Sequence, residues 1–449
     1  MSGLSWVQSP DLLAHELVAS AADGKEVGDV RRRWHDAGGQ GEAPHNGLGQ
    51  EGDVDLRALA EELLDELAAR EAPTALTRLE PDDLVDIEAT WPTSPGRTGI
   101  GGDLEDRLHG AWLGRAAGCL LGKPVEKIPR VGIREILTSQ GRWPLTDWFT
   151  AVDLPAEVAG RWPWNRRSAP TSLAENIHGM PEDDDLNFAL LALGVIERHG
   201  HDFTTDDVAA AWLAELPGGR VFTAERVAYR NLLLGESAPR TATLRNPYRE
   251  WIGAQIRADV YGWVNPGDPA AAARLAWRDA RLSHVRSGVY GAMCVAAMCA
   301  QAVVSDDVED VLDAGRSVVP PGSRYAEALR IGIEVGRSDL DAEAALDVLA
   351  DRYGHLHWVH ALNNAALMAF ALARSDGDLG EGICLAVSGG WDTDSVGASV
   401  GSVCGGLAGA RRLPDRWTAP LANRLASSLP GSDGLAFDDL AARTARMAR

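Results

Sequence analysis

Carboxylates gather at two points in this chain, each directly ahead of an apolar run. In PEDDDLN, Glu182, Asp183, Asp184 and Asp185 precede a stretch in which Leu186, Leu190, Leu191, Leu193, Val195 and Ile196 cover most of a helical circumference, so this helix is expected to be buried. Gly200 is a suitable stop for it. In WDTDS, Asp392, Asp394 and Ser395 open a second apolar stretch after a Gly-Gly turn. Adjacent carboxylates repel, and burying each costs several kcal/mol unless a cation or strong donors compensate. A helix N-terminus returns only about 1 kcal/mol per anion, too little for a run of acids. Hard divalent cations supply the balance, because carboxylate oxygens are their preferred ligands. If folding brings the two tips together, their carboxylates and the Ser395 hydroxyl outline a site for two Mg²⁺, or Mn²⁺, ions. Each tip on its own has the composition of a solvated helix cap; it is the pair that points to metal.

The elements that must position these groups read as helices. Apolar helical patterns run over residues 107–121, 185–199, 206–216, 269–282, 286–304, 363–374 and 395–410, while alternating strand patterns are almost absent. An all-α orthogonal bundle follows. Gly397, Gly401, Gly405 and Gly409 recur every four residues, a costly composition for a helix unless another helix approaches closely. Residues 141–166 are crowded with tryptophan and proline and are expected to form a long loop over the bundle. Residues 287–304 carry no charge over 18 positions, but Gln301, the many Ala and Gly, and the flanking Arg286 and Asp306 suit a buried helix better than a membrane span. Ahead of the bundle, Leu56, Leu59, Leu63 and Leu67 form the apolar stripe of an amphipathic helix, with a Gly-rich connection over 38–53 before it and a linker over 93–102 after it. The chain therefore divides into a helical N-terminal extension, 1–102, and a main domain, 103–449. The extension holds no catalytic constellation and reads either as an arm for docking or oligomer formation or as a solvated decoration.

The chain has 449 residues, 45% hydrophobic and 24% charged, as expected of a folded globular protein. Its net charge of −22 argues against a nucleic-acid-binding surface or an anionic membrane face, so an anionic ligand must be held locally by metal, arginine or helix N-termini. None of the five cysteines shows CxxC spacing, and free core thiols in a reducing cytoplasm are expected. The N-terminal stretch lacks the pattern of a signal peptide.

Three segments together resemble the ADP-ribosylglycohydrolase family, of the dinitrogenase reductase-activating type, over roughly 103–413. DRLHGAWLGRAAGCLLGKPVE matches an early helix and Gly-rich loop, with Glu126 at the family's Pro-x-Glu-like position. PEDDDLN is similar to a Thr-Asp-Asp-Thr cluster and WDTDS to an Asp-Thr-Asp-Ser cluster. NPYREWIGAQIRADVYG, SHVRSGVYGAMCVAAM and HALNNAALMAFAL look like a bacterial branch with an N-terminal extension. The chain departs from the family where Cys119 replaces an Asp and where Glu182 and Asp185 replace threonines. The resemblance implies an all-α fold with two Mg²⁺ ions and cleavage of a ribosyl C1″ bond in ADP-ribosylated protein or a related conjugate. It implies Glu182, Asp183, Asp184, Asp392, Asp394 and Ser395 as metal ligands, and Glu126 or Asp394 as general base.

Other residues are candidates for holding the rest of the substrate. Arg257 and Arg286 could meet a diphosphate or make structural ion pairs. His284, Asn363 and Asn364, at apparent helix starts, could bind substrate or act as caps. Trp391 could pack on ribose or adenine, or sit in the core. Two other readings remain: a metal-retaining ADP-ribose-binding module without catalysis, and an all-α Mg²⁺-dependent isoprenoid-diphosphate enzyme. The latter is weakened by 6% aromatics and the absence of a second DDxxD-like element.

Overall fold

A computed structural model describes residues 4–47, 54–92 and 103–449. The segment expected as a linker, 93–102, and the end of the Gly-rich connection, 48–53, lie outside the described residues. The fold is all-α; among the described residues only isolated bridges such as Met180 to Leu425 and Trp251 to His360 replace strands. The helices used below are α1 (Ser9–Ala22), α2 (Val54–Ala69), α3 (Leu104–Gly122), α4 (Asp184–His199), α5 (Arg286–Ala302), α6 (Ala361–Ser375) and α7 (Thr393–Ala408).

At the centre α3 and α7 cross in nearly direct backbone contact. A Cβ on Gly118 would stand 1.9 Å from the Gly397 carbonyl oxygen, one on Gly114 2.1 Å from that of Gly401, and one on Gly110 2.3 Å from that of Gly405. The four-residue glycine spacing of α7 is thus matched by the same spacing on α3, and the two helices run antiparallel. This ladder continues to the site: Gly122, at the end of α3, lies against Thr393, whose hydroxyl donates to the Gly122 carbonyl at 2.9 Å. The C-terminus of one core helix is thereby fixed against the acidic N-terminus of another.

The stretch weighed as a membrane span is α5, and every residue of it is buried inside the bundle. No helix among the described residues is long and apolar enough to cross a membrane. The Trp- and Pro-rich region is less irregular than its sequence suggests, since Ala156–Arg161 is helical. Tertiary contact overrides turn chemistry there: Trp148 and Val158 are buried and Trp162 packs on Gly132.

The extension packs on its own chain's bundle. In α2, Leu63, Leu64 and Leu67 are buried, and Arg245 of the bundle pairs with Glu61 and Asp65 on its outer face at 2.7 Å each. Asp23 and Glu16 hold Arg249 at 3.0 and 2.7 Å, Asp23 also holds Arg286 at 2.7 Å, and Glu80 holds Arg324 at 2.7 Å. Arg286 and Arg324 both close on Glu250 as well. Such a shared network of buried charges satisfies each member several times over, which is what burial of ions requires.

Candidate metal centre and substrate pocket

The two acidic tips converge. Asp183, Asp184, Asp392, Asp394 and Ser395 line one cavity of about 800 Å³ together with Glu126, Lys123 and Glu182. Local sequence explains how each is delivered. Asp183 is the N-cap of α4: its Oδ1 accepts from the Asp185 N–H at 2.9 Å, and its Oδ2 accepts from the buried Lys123 ammonium. Lys123 comes from the turn that ends α3, so the glycine ladder also places this cation. Asp392 precedes α7 but makes no side-chain cap, leaving its carboxylate to the cavity. Its own N–H donates to the Asn364 side-chain oxygen at 3.3 Å.

The electrostatics are lopsided. Asp183, Asp185, Asp392 and Asp394 are each under 9% exposed. Burial, then the neighbouring carboxylates, pushes Asp184, Asp185 and Asp392 well above the usual carboxylate range. Asp394 is pushed up to about 7, by burial and then by Glu126 and Asp183, against the opposing pull of Lys123. Asp392 and Asp394 each raise the other's affinity for a proton or a cation, because two like charges are buried together. Asp185 Oδ1 is buried without a hydrogen-bond partner, and the nearest guanidinium, Arg115, is 4.0 Å away and committed to Asp259 at 2.8 Å. One lysine against this many buried carboxylates leaves a strongly negative hole, and an oxygen-rich donor set of that kind fits hard divalent cations.

Among the described residues, Cys119, Asp183 and Asp185 form a grouping with metal-ligand spacing, their donor atoms lying within 4.8 Å of one another. Cys119 Sγ donates to Asp185 Oδ2 at 3.4 Å. Two of the departures from the family pattern therefore touch: a carboxylate missing from α3 is matched by one added on the facing α4. Burial raises the Cys119 thiol well above its ordinary value, so it stays protonated and serves as a donor.

Glu126 is half-buried on the cavity wall, with Oε2 accepting from Asn165 Nδ2 at 2.6 Å and Oε1 3.3 Å from Lys127 Nζ. Glu182 lines the cavity, where it accepts from the buried Asn187 at 2.9 Å and pairs with Arg220, another lining residue, at 3.2 Å.

The remaining expected residues lie elsewhere. Arg257 is 1% exposed and is held by Glu225 at 2.5 Å and by Asp279, so it offers no free charge to a diphosphate. Arg286 is likewise spent on Asp23 and Glu250. His284 is buried behind Glu225, with Nδ1 2.8 Å from the Ser283 hydroxyl, and burial drives its pKa well below the ordinary histidine value. Asn363 and Asn364 are fully buried at the start of α6; Asn364 donates to the Trp358 and His360 carbonyls at 2.8 Å each, so it supports Asp392 from behind. Trp391 lines a separate apolar cavity of about 350 Å³ beside the acidic one.

Several lining residues carried no sequence signal. Glu225 reaches the wall because Gly253 leaves room: a Cβ there would stand 2.1 Å from the carboxylate. Arg166, Arg167, Arg220 and Lys127 gather at the cavity, and the first two make no ion pair among the described residues.

A model of the family described as ADP-ribosylglycohydrolase matches residues 101–448. The chain belongs to the ADP-ribosylglycohydrolase family. An uncharacterized protein of Archaeoglobus fulgidus is 28% identical over 328 residues, covering 72% of this chain and 93% of that protein. Among solved structures, one described as an ADP-ribosylglycohydrolase-related protein complex is 23% identical, with a TM-score of 0.48, covering 77% of this chain and 99% of its own. Membership in this family supports glycohydrolase-type activity in general.

Proposed function

We propose that this ADP-ribosylglycohydrolase-family protein is a divalent-cation-dependent hydrolase that cleaves the ribosyl C1″ bond of an ADP-ribose conjugate in a reducing cytoplasm. The observation that carries the reading is the meeting of the tips of α4 and α7 in one cavity, where, among the described residues, Lys123 is the one buried cation lining it beside Asp183, Asp392 and Asp394. The cavity lies within the size range of sites that enclose a nucleotide-sized ligand. Its free cavity-side charge, Arg166 and Arg167, is where a diphosphate finds compensation on an otherwise acidic protein.

Asp184, Asp392, Asp394 and Ser395 would hold two Mg²⁺, or Mn²⁺, ions, with Asp183 and Asp185 beside them and Glu182 at the edge. When bound, these ions would supply positive charge to orient the ribose diol and lower the pKa of a nucleophilic water. Glu126 is the base this reading favours, because Asn165 at 2.6 Å and Lys127 at 3.3 Å hold its carboxylate on the cavity wall. In the reaction the C1″–X bond breaks with its electron pair going to X, the water oxygen bonds to C1″, and Glu126 takes the water's proton and delivers it to X, which ends as X–H with Glu126 ionised again. Asp394 is the second candidate for that proton. Asn165 and Asn364 are positioning residues, each acting through the carboxylate or N–H it holds.

Release of free ADP-ribose from a panel of arginine-, serine- and acetyl-linked conjugates, with Mg²⁺, with Mn²⁺ and with EDTA, tests this. Turnover is expected only with metal and is expected to vanish in Asp392→Ala with the helical circular dichroism intact. Metal uptake with no release from any conjugate would instead identify a binding module; no metal uptake at all would overturn the whole reading.

A further inference from the structure

We infer that the N-terminal extension is part of the active site: its Ser5–Trp6 and His45–Asn46 segments form a wall that a nucleoside-diphosphate-sugar substrate must touch. This inference rests on the proposed function. The acidic cavity is lined on one side by Ser5, Trp6 and Asn46, all from the extension. The neighbouring apolar cavity is lined by His45, and the two cavities share Lys127 and Trp358. Residues 45 and 46 therefore stand where a polar, anion-compatible site passes into an apolar one lined by Trp391 and Trp358. A ligand with a ribose at one end, an aromatic base at the other and a diphosphate between them matches that sequence of environments, with Lys127 at the crossing.

The wall is built rather than draped. Trp6 adopts a left-handed backbone (φ 67°), a costly conformation for a tryptophan that persists only where the surroundings over-determine it. Here they do. The Trp6 N–H donates to the Gly47 carbonyl at 3.0 Å, and its indole is caged by Tyr248, Trp251 and His15 at centroid distances of 5.5, 5.8 and 6.0 Å. The ring covers Gly47 so closely that a Cβ there would lie 2.2 Å from it. Buried Arg226 clamps Ser5 through its carbonyl and hydroxyl at 3.0 and 2.9 Å, and Trp358 Nε1 donates to the His45 carbonyl at 3.1 Å. Two stretches forty residues apart are thus locked to each other and, through Arg226 and Trp358, to the bundle that carries the cavity.

Hydrogen–deuterium exchange on the full chain with Mg²⁺, with and without ADP-ribose, tests the inference. The expected result is slowed exchange in peptides covering 4–8 and 44–47 as well as in those covering 165–171 and 182–186. Protection of the last two alone would overturn the extension's role while leaving the proposed function standing; protection nowhere would overturn both. A second test uses Asn46→Trp, since Asn46 is exposed and the larger ring would occupy the mouth. Its dissociation constant for ADP-ribose is expected to rise by about tenfold or more with the melting temperature unchanged. An unchanged affinity would count against the wall.

Discussion

Gly401→Ala is a one-methyl perturbation at the centre of the molecule, about 12 Å along α7 from the acids at a rise of roughly 1.5 Å per residue. The new Cβ would stand 2.0 Å from the Gly114 carbonyl oxygen and 2.7 Å from its carbon. Real Cβ contacts essentially stop at 3.0 Å, so the two helices must separate by about 1 Å; what blocks them is backbone, with no side chain to rotate away. Overpacking of this kind costs about 1–3 kcal/mol, of which better helix propensity returns at most about 1. We expect a net loss of roughly 2 kcal/mol, at the upper end of that balance because neither partner can yield. The larger effect falls on the site. A rigid helix transmits the displacement to Asp392 and Asp394, while Asp183 stays with α4, so affinity for Mg²⁺ or Mn²⁺ drops about tenfold, the equivalent of 1.4 kcal/mol. Calorimetric melting with and without metal and isothermal titration with MnCl₂ measure the two effects. Gly194→Ala is the control: in α4 its Cβ meets nothing nearer than the Arg198 guanidinium at 3.7 Å, and it is expected to stabilise by about 0.5–1 kcal/mol. If Gly401→Ala melts at or above the wild type and binds metal as tightly, the close approach of α3 and α7 is not what positions the acids.

Asp394→Asn removes one charge from the repelling cluster, so the metal-free protein is expected to melt higher than wild type while the Mg²⁺-induced rise in melting temperature disappears; a lower metal-free midpoint would contradict the electrostatic account. Arg257→Ala strands Glu225 and Asp279 in the core and is expected to cost about 3–5 kcal/mol in urea denaturation, a stability defect rather than a selective loss of substrate affinity. His15 and His357 are held neutral, with burial lowering them from 6.5 to about 4 and about 2. Below pH 6.5 the unfolded chain binds protons that the folded chain refuses, so stability is complete above that pH and falls as acid is added. His15 alone accounts for roughly 3 kcal/mol by pH 4. Melting temperature against pH is expected to decline below 6.5 in wild type and to decline less in His15→Leu.

What the sequence made legible was whatever is written locally. The acids at 182–185 and 392–394 sit beside the apolar runs that bury them, and the glycine period of α7 announces a close partner without naming α3. Charge, by contrast, does not carry its partner with it. Arg257 and Arg286 look available in the sequence because Asp279, Glu225, Asp23 and Glu250 are brought to them only by folding. The same holds in reverse for Arg166, Arg167 and Glu225, which have no pattern of their own and become lining residues through contacts across the fold. The extension was the hardest to read: its leucine stripe declares a helix, but nothing in residues 5–6 or 45–47 shows that they stand against Trp358 and Arg226.

The salt-bridge network around Asp23 also has a temporal side. Asp23 precedes the first of its bundle partners, Arg249, by 226 residues, and ribosomes add roughly 5–20 residues per second, so Asp23 waits about 11–45 s after synthesis for a counterion. During that interval the helices of the extension have only each other to pack against, as where Arg33 pairs with Glu62 and Glu66 and Arg70 with Asp29. The described part of the extension can therefore take up these ion pairs with the bundle only after Arg249, Arg286 and Arg324 have been made.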